Sequence, residues 1–303
     1  MATVEDLLRV GVDRLRASGS ESPRLDAELL LGKSVGLDRT RIIAYPEALV
    51  GETAAASYEA DLARRERGEP IAYIRGFKEF HGLAFATDPR ALIPRPETER
   101  IVELAEAEVV TRLLAAPRPA GTRSIQVADI GTGAGTIAIA LCVVLRRRHM
   151  LDEVRILATD IDPDALQLAR ENAVGHGVAD KIQFAIADLL PLDGQLIDVL
   201  AANLPYIPTD EIDRLPVAAS FEPRGALDGG PDGLDPIRAL LDRLPRVLRP
   251  DGTALIEIGS DETDDLGRLV TEGLPGWTCE VLPDLAGLPR VARLEPASHA
   301  AVR

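Results

Sequence analysis

Asp129-Ile130-Gly131-Thr132-Gly133-Ala134-Gly135 is the stretch that decides the fold of this 303-residue chain. The apolar run 125–130 that leads into it predicts a buried strand, and the apolar run 136–148 that follows it predicts a helix. Glycines let a backbone turn tightly and approach a ligand closely, and the start of the next helix offers free N–H groups. The turn therefore predicts either a ligand-binding loop or a purely structural connection between a strand and a helix.

Strands and helices alternate outward from this turn. Apolar runs predict strands at 125–130, 154–159, 182–187, 197–202, 254–258, 277–282 and 291–294, and helices at 136–148, 163–174 and 236–248. This order predicts an α/β fold with a seven-stranded, Rossmann-like, mainly parallel sheet that closes in an antiparallel hairpin. In such sheets ligands bind beyond the carboxyl ends of the strands. A loop is also predicted at 117–121, and a disordered tail after Pro296.

The first 70 residues predict a small helical domain. Apolar residues at helical spacing predict three helices, over 4–15, 25–31 and 54–67, each followed by a glycine. This region has no titratable cluster and no glycine-rich loop, so we expect it to recognise a substrate or partner.

After residue 70 the predicted structure changes from helices to a β-hairpin. The aromatic residues of 71–93, which Gly76 and Gly82 interrupt, predict a β-hairpin linker. A helix is predicted from Pro96, since proline suits a first helical turn, to about residue 114. This helix opens the sheet domain, 94–303.

The composition limits the possible partners. Lys and Arg total 34 against 49 Asp and Glu, so the net charge of -15 argues against broad attraction to phosphate backbones. The two cysteines and four histidines are scattered, so no metal site is predicted. The first residues include acidic side chains, and no apolar run is long enough to span a membrane. We therefore expect a cytoplasmic protein without membrane contact.

Two later strand ends carry acidic residues that suit an adenosyl ligand. Asp160 can accept hydrogen bonds from both ribose hydroxyls, with a plain turn residue as the alternative. Asp188 can accept from the adenine amino group while Leu189 packs on the ring, with a solvated loop aspartate as the alternative. A nicotinamide cofactor is disfavoured, because its Gly-x-Gly-x-x-Gly pattern requires glycine where this chain has Thr136.

Asn203-Leu204-Pro205-Tyr206 follows the strand 197–202 and is the most discriminating motif. The Asn oxygen and a backbone carbonyl can accept the two hydrogens of a planar NH2 group, while the Tyr ring covers its plane. Because the lone pair of such a nitrogen is conjugated, holding it in place and stabilising its developing charge promote attack on a methyl group. A turn stiffened by proline is the structural alternative. With the glycine-rich turn and Asp160, the motif predicts methyl transfer from S-adenosylmethionine to a flat nitrogen.

Several strings resemble the HemK-type protein-(glutamine-N5) methyltransferases. They are Glu69-Pro70-Ile71-Ala72-Tyr73-Ile74, Leu92-Ile93-Pro94-Arg95-Pro96-Glu97-Thr98-Glu99, the glycine-rich turn, Glu222-Pro223-Arg224-Gly225-Ala226-Leu227-Asp228-Gly229-Gly230 and Asp284-Leu285-Ala286-Gly287-Leu288-Pro289-Arg290. Enzymes of this family modify the glutamine of the Gly-Gly-Gln loop in peptide-chain release factors. The resemblance implies a small N-terminal helical domain joined by a hairpin to a seven-stranded S-adenosylmethionine-dependent methyltransferase domain.

The resemblance also implies roles for individual residues. The expected donor site comprises Asp129, Gly131, Thr132, Gly133, Ala134, Gly135, Asp160, Asp188, Leu189 and Asn203. Asn203 would contact both the donor and the glutamine, and Leu204, Pro205 and Tyr206 would complete the substrate clamp. Asn203, Pro205 and Tyr206 are the expected catalytic residues.

One position departs from the family motif, which usually reads Asn-Pro-Pro-Tyr. Leu204 replaces its first proline, and the resulting sequence, Asn-Leu-Pro-Tyr, is similar to the motif of ribosomal-RNA adenine dimethyltransferases. Two alternatives therefore stay open: an adenine N6-methyltransferase acting on RNA or DNA, and a non-catalytic adapter that binds through its N-terminal helices. The net charge and the string 94–99 favour the release factor as partner, and no stable nucleic-acid binding is expected.

Overall fold

The computed structural model describes residues 1–115, 124–191 and 194–297. The loop predicted at 117–121 and, from residue 298 on, the tail predicted to be disordered lie outside these ranges. Contacts divide the chain into two compact units. The first comprises Met1–Lys78 and Leu215–Phe221, and the second comprises Glu79–Arg214 and Glu222–Arg303. The predicted domain limits at residues 70 and 93 stay a prediction.

The first unit is helical. Its helices are α1 (Val4–Ala17), α2 (Pro23–Val35), α3 (Arg39–Ala44), α4 (Glu52–Glu66) and α5 (Ile71–Arg75). The predicted end of the second helix at Gly32 is wrong, because α2 continues to Gly36, whose φ of 68° is left-handed. Gly32 lies inside α2, and the Leu37 carbonyl packs so closely against it that a Cβ would lie 2.7 Å from that oxygen. Tyr58, Leu15 and Leu30 lie in the core of this unit.

The hairpin predicted at 71–93 occupies only part of that range. Its first residues form the short helix α5, which ends at Gly76 with a left-handed φ of 78°. Strands β1 (Phe77–Phe80) and β2 (Leu83–Ala86) then form a two-stranded hairpin. The left-handed glycine stops the helix and starts the strand, because a residue without a Cβ adopts that conformation without strain.

The second unit contains a seven-stranded sheet, as predicted. Its strands are β3 (Ile125–Ile130), β4 (Val154–Asp160), β5 (Ile182–Ile186), β6 (Ile197–Ala202), β7 (Leu248–Glu257), β8 (Trp277–Pro283) and β9 (Pro289–Pro296). The strand order is β5-β4-β3-β6-β7-β9-β8; neighbours from β5 to β7 are parallel, while β9 pairs antiparallel with β7 and β8. The chain turns in opposite directions from β3, so the carboxyl ends of β3 and β6 border the crevice where such sheets bind ligands.

Helices cover both faces of the sheet. They are α6 (Glu99–Leu114), α7 (Thr136–Arg147), α8 (Pro163–Gly175), α9 (Asp235–Val247) and α10 (Thr263–Gly273), the last of which was not predicted. Alternate residues of β3 enter different cores: Ile125 and Val127 pack with α6 and α7, while Ala128 and Ile130 pack with α9 and α10. Burial on both faces explains why the central strands read as continuous apolar runs.

Candidate active site

A cavity of about 370 Å³ opens at the carboxyl ends of β3, β4 and β6. Its wall combines the loop 90–95, the turn 131–134, the segments 160–162 and 187–189, and the start of the Asn203 motif, 203–205. The volume lies in the range of small-molecule sites. The structure therefore brings most of the residues predicted from separate motifs around one cavity.

The glycine-rich turn folds into a loop that only glycine fits without strain. Gly131, Gly133 and Gly135 have φ values of 66°, 54° and 83°. Gly131 and Gly133 line the cavity, whereas Gly135 faces inward, where a Cβ would lie 2.8 Å from Ile139 Cδ1. Gly131 and Gly133 thus expose their backbone to the cavity, and Gly135 lets α7 pack closely.

Asp129 lies behind this turn and does not line the cavity. Its Oδ2 accepts hydrogen bonds from the Thr132 hydroxyl at 2.6 Å and from the Ala138 N–H at 3.0 Å. Burial raises the pKa of Asp129 to about 6. In this arrangement Asp129 holds the shape of the turn and the start of α7, so any effect on a ligand is indirect.

Asp160, at the end of β4, lines the cavity. Its Oδ2 accepts from the Gly133 N–H at 2.8 Å, and its Oδ1 accepts from the Asp162 N–H at 2.9 Å. Burial raises the pKa of this carboxyl, while the two backbone donors lower it. A carboxylate has about four acceptor positions, so two further hydroxyl groups can be accommodated.

Asp188 and Leu189 also line the cavity. Asp188 Oδ2 accepts from Arg243 Nη2 at 2.8 Å. Leu189 has a left-handed φ of 61°, and its carbonyl accepts from the Thr159 hydroxyl at 2.6 Å. This unusual conformation for a leucine is held by that hydrogen bond, and it fixes the loop that borders the cavity.

The four residues of the Asn203 motif do not share one environment. Asn203, Leu204 and Pro205 line the cavity, whereas Tyr206 does not. The Leu204 side chain is only 5% exposed, and it packs in the core beside Gly131, where a Cβ would lie 3.1 Å from Leu204 Cδ2. Burial raises the pKa of Tyr206 to about 12. Tyr206 is thus a largely buried neighbour of the cavity, not part of its wall.

Two residues that sequence reasoning missed complete the surroundings of Asn203. Asn203 Nδ2 donates to Thr98 Oγ1 at 2.9 Å, and the Thr98 hydroxyl donates to Glu257 Oε2 at 2.7 Å. Thr98 lies in the string 92–99, which predicted a helix start and carried part of the resemblance but gave Thr98 itself no role. Glu257 is an acidic residue at the end of the apolar strand β7, and that contrast is the signal that could have identified it.

Glu222 ties two of the resembling strings together. It accepts from the Ile93 N–H at 3.0 Å and from Arg95 Nη2 at 2.6 Å. Glu222 is buried, and Ile93 and Arg95 line the cavity. This ion pair therefore fixes the loop 90–95 against the segment that begins at Glu222.

The fold and this cavity define an S-adenosylmethionine-dependent methyltransferase, and a methyltransferase domain family matches residues 122–275. The catalytic domain of hMettl16, solved in complex with the MAT2A 3′UTR hairpin 6, has a similar fold, with a TM-score of 0.50 and 16% identity over 80% of this chain and 81% of that chain. That likeness concerns the fold alone. The PrmC N-terminal domain family matches residues 6–76.

The relatives identify the family within this class. Release factor glutamine methyltransferase from Moorella thermoacetica is 42% identical over 95% of this chain and 96% of its own length. The enzyme of the same name from Nitratidesulfovibrio vulgaris is 39% identical over 95% and 94%. The chain therefore belongs to the family of release factor glutamine methyltransferases.

Neither a membrane-spanning helix nor a metal-binding cluster occurs among the described residues. Within 1–115, 124–191 and 194–297, no helix has the length and apolar character needed to cross a membrane. The same residues contain no group of His, Cys, Asp and Glu that could hold a metal ion.

Proposed function

We propose that this enzyme methylates the side-chain amide nitrogen, N5, of the glutamine in the Gly-Gly-Gln loop of peptide-chain release factors. Membership of the family supports the class of substrate. The observation that carries the proposal is the position of Asn203, which lies at the wall of the donor cavity with its Nδ2 already engaged by Thr98. Its Oδ1 is thereby left to accept a hydrogen bond from a substrate NH2 group.

The residues around the cavity fit S-adenosylmethionine, which supplies an electrophilic methyl group when bound. Gly131 and Gly133 line the cavity, and Gly133 leaves open space that a Cβ would fill. Asp160 offers carboxylate acceptors suited to ribose hydroxyls. Asp188 and Leu189 border the side of the cavity beyond Asp160, where an adenine ring would be held. Asp129 supports the turn from behind.

The substrate amide would be held by acceptors from β6 and the residues after it. Asn203 Oδ1 and the carbonyl of Leu204 would each accept one amide hydrogen, while Pro205 and Tyr206 would limit the movement of the substrate. The amide nitrogen is a poor nucleophile because its lone pair is conjugated. Fixing both hydrogens orients that nitrogen and stabilises the positive charge that develops on it, so no strong base is required.

The N-terminal residues 1–70 would recognise the release factor outside its Gly-Gly-Gln loop. Ile43, Tyr45 and Leu49, in and after α3, are exposed apolar side chains in this helical unit. Exposed aromatic and aliphatic side chains are typical anchors of protein interfaces. We infer that the enzyme works in the cytoplasm, where its substrate is found.

Two observations weigh against the nucleic-acid alternative. The net charge of -15 opposes contact with phosphate backbones. The side chain of Leu204, the residue that resembles the RNA enzymes, packs in the core and leaves little surface on which a base could stack. We expect no stable binding of RNA or DNA.

Mass spectrometry of the Gly-Gly-Gln peptide tests the proposal. Intact release factor is incubated with enzyme and S-adenosylmethionine, digested and compared with a reaction that contains Asn203→Ala. We expect one added methyl group on the glutamine with the native enzyme and almost none with the variant. A parallel reaction with RNA decides between the substrates, because methylated RNA together with an unmodified release factor would overturn the assignment.

A further inference from the structure

We propose that Thr98 and Glu257 form a hydrogen-bond relay that sets which end of the Asn203 amide faces the substrate. The inference deepens the proposed function, since it rests on Asn203 Oδ1 as the acceptor of the glutamine amide. Thr98 and Glu257 do not touch the substrate in this scheme. They are positioning residues that act through Asn203.

The argument begins with the single proton of the Thr98 hydroxyl. An ionised carboxylate can only accept, so the hydroxyl must donate its proton to Glu257 Oε2, 2.7 Å away. Thr98 Oγ1 then has only lone pairs left for Asn203, which lies 2.9 Å away. The group of Asn203 that faces Thr98 must therefore be the NH2 group, and Oδ1 points the other way.

Burial protects this relay from competition by water. Thr98 is 3% exposed and Glu257 is 1% exposed, and they come from the turn before α6 and from the end of β7. Among the residues that the structure describes, Glu257 Oε1 has no hydrogen-bond partner. Burying a carboxylate with so few donors costs stability, so stability does not explain its presence.

Few charged or titratable groups face Glu257. Arg290, on β9, lowers the pKa of Glu257 and Glu97, on the turn before α6, raises it. The Tyr206 hydroxyl lies close enough to lower the Glu257 pKa as well. The largest effect is burial, which raises the Glu257 pKa to about 7.

Protonation of Glu257 would allow the donors and acceptors of both hydrogen bonds in the relay to exchange roles. A protonated Glu257 can donate to Thr98, and the Thr98 hydroxyl can then donate to Asn203 Oδ1. The amide would then be free to present its NH2 group to the substrate, and that group cannot accept the glutamine hydrogens. The active orientation is therefore favoured above about pH 7 and lost below it.

Three variants test the relay through kinetics. Glu257→Gln can donate as well as accept, and Thr98→Val lacks the hydroxyl at nearly the same volume. Each should lower kcat about tenfold or more through misorientation, with little change in the KM for S-adenosylmethionine. Thr98→Ser keeps the hydroxyl and should restore most of the rate. In the native enzyme kcat should rise with pH through about 7, and Glu257→Gln should lose that rise.

Glu262→Gln is the matched control. Burial also raises the pKa of Glu262 to about 7, but its carboxylate accepts from the Gly259 N–H at 2.7 Å and does not contact Asn203 or Thr98. This variant should keep both the rate and the pH profile of the native enzyme. Native kinetics in Thr98→Val and Glu257→Gln would overturn the relay.

A measurement without substrate separates the relay from the proposed function. In the native protein the side-chain NH2 resonances of Asn203, followed by nitrogen–proton NMR, should shift with a midpoint near pH 7, and Glu257→Gln should abolish that shift. A pH-independent Asn203 signal in the native protein would reject the relay even if the release factor is methylated. A titrating signal without release factor methylation would support the relay and reject the proposed substrate.

Discussion

Asn203 donates its side-chain N–H to the hydroxyl of Thr98 at 2.9 Å, although 105 residues separate the two in the chain. Asn203 follows β6, whereas Thr98 lies in the turn before α6. The residue that would hold the substrate amide is thus oriented by a segment outside the glycine-rich turn. Variants of the two segments should affect turnover and donor binding separately.

Replacing Asn203 with alanine should abolish most turnover and preserve the fold. The change removes the proposed acceptor of the substrate amide, so single-turnover rates should fall about a hundredfold, by analogy with loss of one preorganised catalytic group. Calorimetry should show a nearly native affinity for S-adenosylmethionine. A variant rate within a few-fold of the native rate would remove Asn203 from the mechanism.

Replacing Asp160 with alanine should weaken donor binding. Loss of a charge-assisted acceptor costs about 2 kcal/mol, which corresponds to a roughly thirtyfold higher Kd. Asp160 also accepts from the Gly133 and Asp162 N–H groups, so Asp160→Asn is the control that keeps its size. An unchanged Kd in the alanine variant, measured by calorimetry, would contradict the ribose role.

The stability of Glu257→Gln relative to the native protein should depend on pH. Because the folded-state pKa of about 7 exceeds the ordinary 4.5, Glu257 contributes stability that is fully present below about pH 4.5 and is lost as pH rises through 7. Glu257→Gln lacks this loss of stability, so between those pH limits its unfolding free energy should rise by on the order of 3 kcal/mol relative to that of the native protein. Urea unfolding at several pH values measures the difference, and a constant difference would contradict the raised pKa.

Glutamate in place of the exposed Tyr45 should raise the KM for intact release factor. Loss of an interface anchor costs on the order of 1–2 kcal/mol, or about a fivefold to thirtyfold change. Methylation of a short Gly-Gly-Gln peptide should not change, because that peptide lacks the part of the release factor that residues 1–70 are proposed to recognise. Val174→Glu, at an exposed position on α8, is the matched control. Equal KM values in all three proteins would reject the recognition role of residues 1–70.

Proline at position 204 should lower stability more than activity. Residue 204 precedes Pro205 and is already biased toward extended backbone, which proline also adopts. Its leucine side chain is buried, however, so the smaller proline should cost about 2 kcal/mol of unfolding free energy. Glutamine methylation should persist within a few-fold at a temperature where both proteins are folded. Loss of activity without a fall in Tm would show that the 204 side chain or N–H serves the substrate.

Local patterns predicted that the glycine-rich turn and Asp160 would lie at one edge of the sheet, where both line the cavity. The glycine-rich turn and Asp160 each follow an apolar strand, and parallel strands bring their carboxyl ends to one edge of the sheet. Asp129 shows the limit of that reasoning. It lies inside β3, one residue before the strand ends, and its carboxylate turns toward the first residues of α7.

Long-range contacts explain what the sequence could not show. Thr98 and Glu257 are 159 residues apart, and no periodicity or spacing connects them. Tyr206 was expected to cover the substrate, but the direction of its side chain depends on packing beyond β6. The short helices α3 and α5 were missed because so few residues give no clear helical period.

The contact between Leu204 and Gly131 changes how the amino acid at position 204 of the motif should be interpreted. Because the leucine side chain fills space beside a residue without a Cβ, the choice of amino acid at 204 responds to volume and apolarity in the interior of the sheet. In this chain the identity of residue 204 therefore reflects packing and not the molecule that is methylated. A pattern search that demanded proline there would reject this sequence for a reason unrelated to its chemistry.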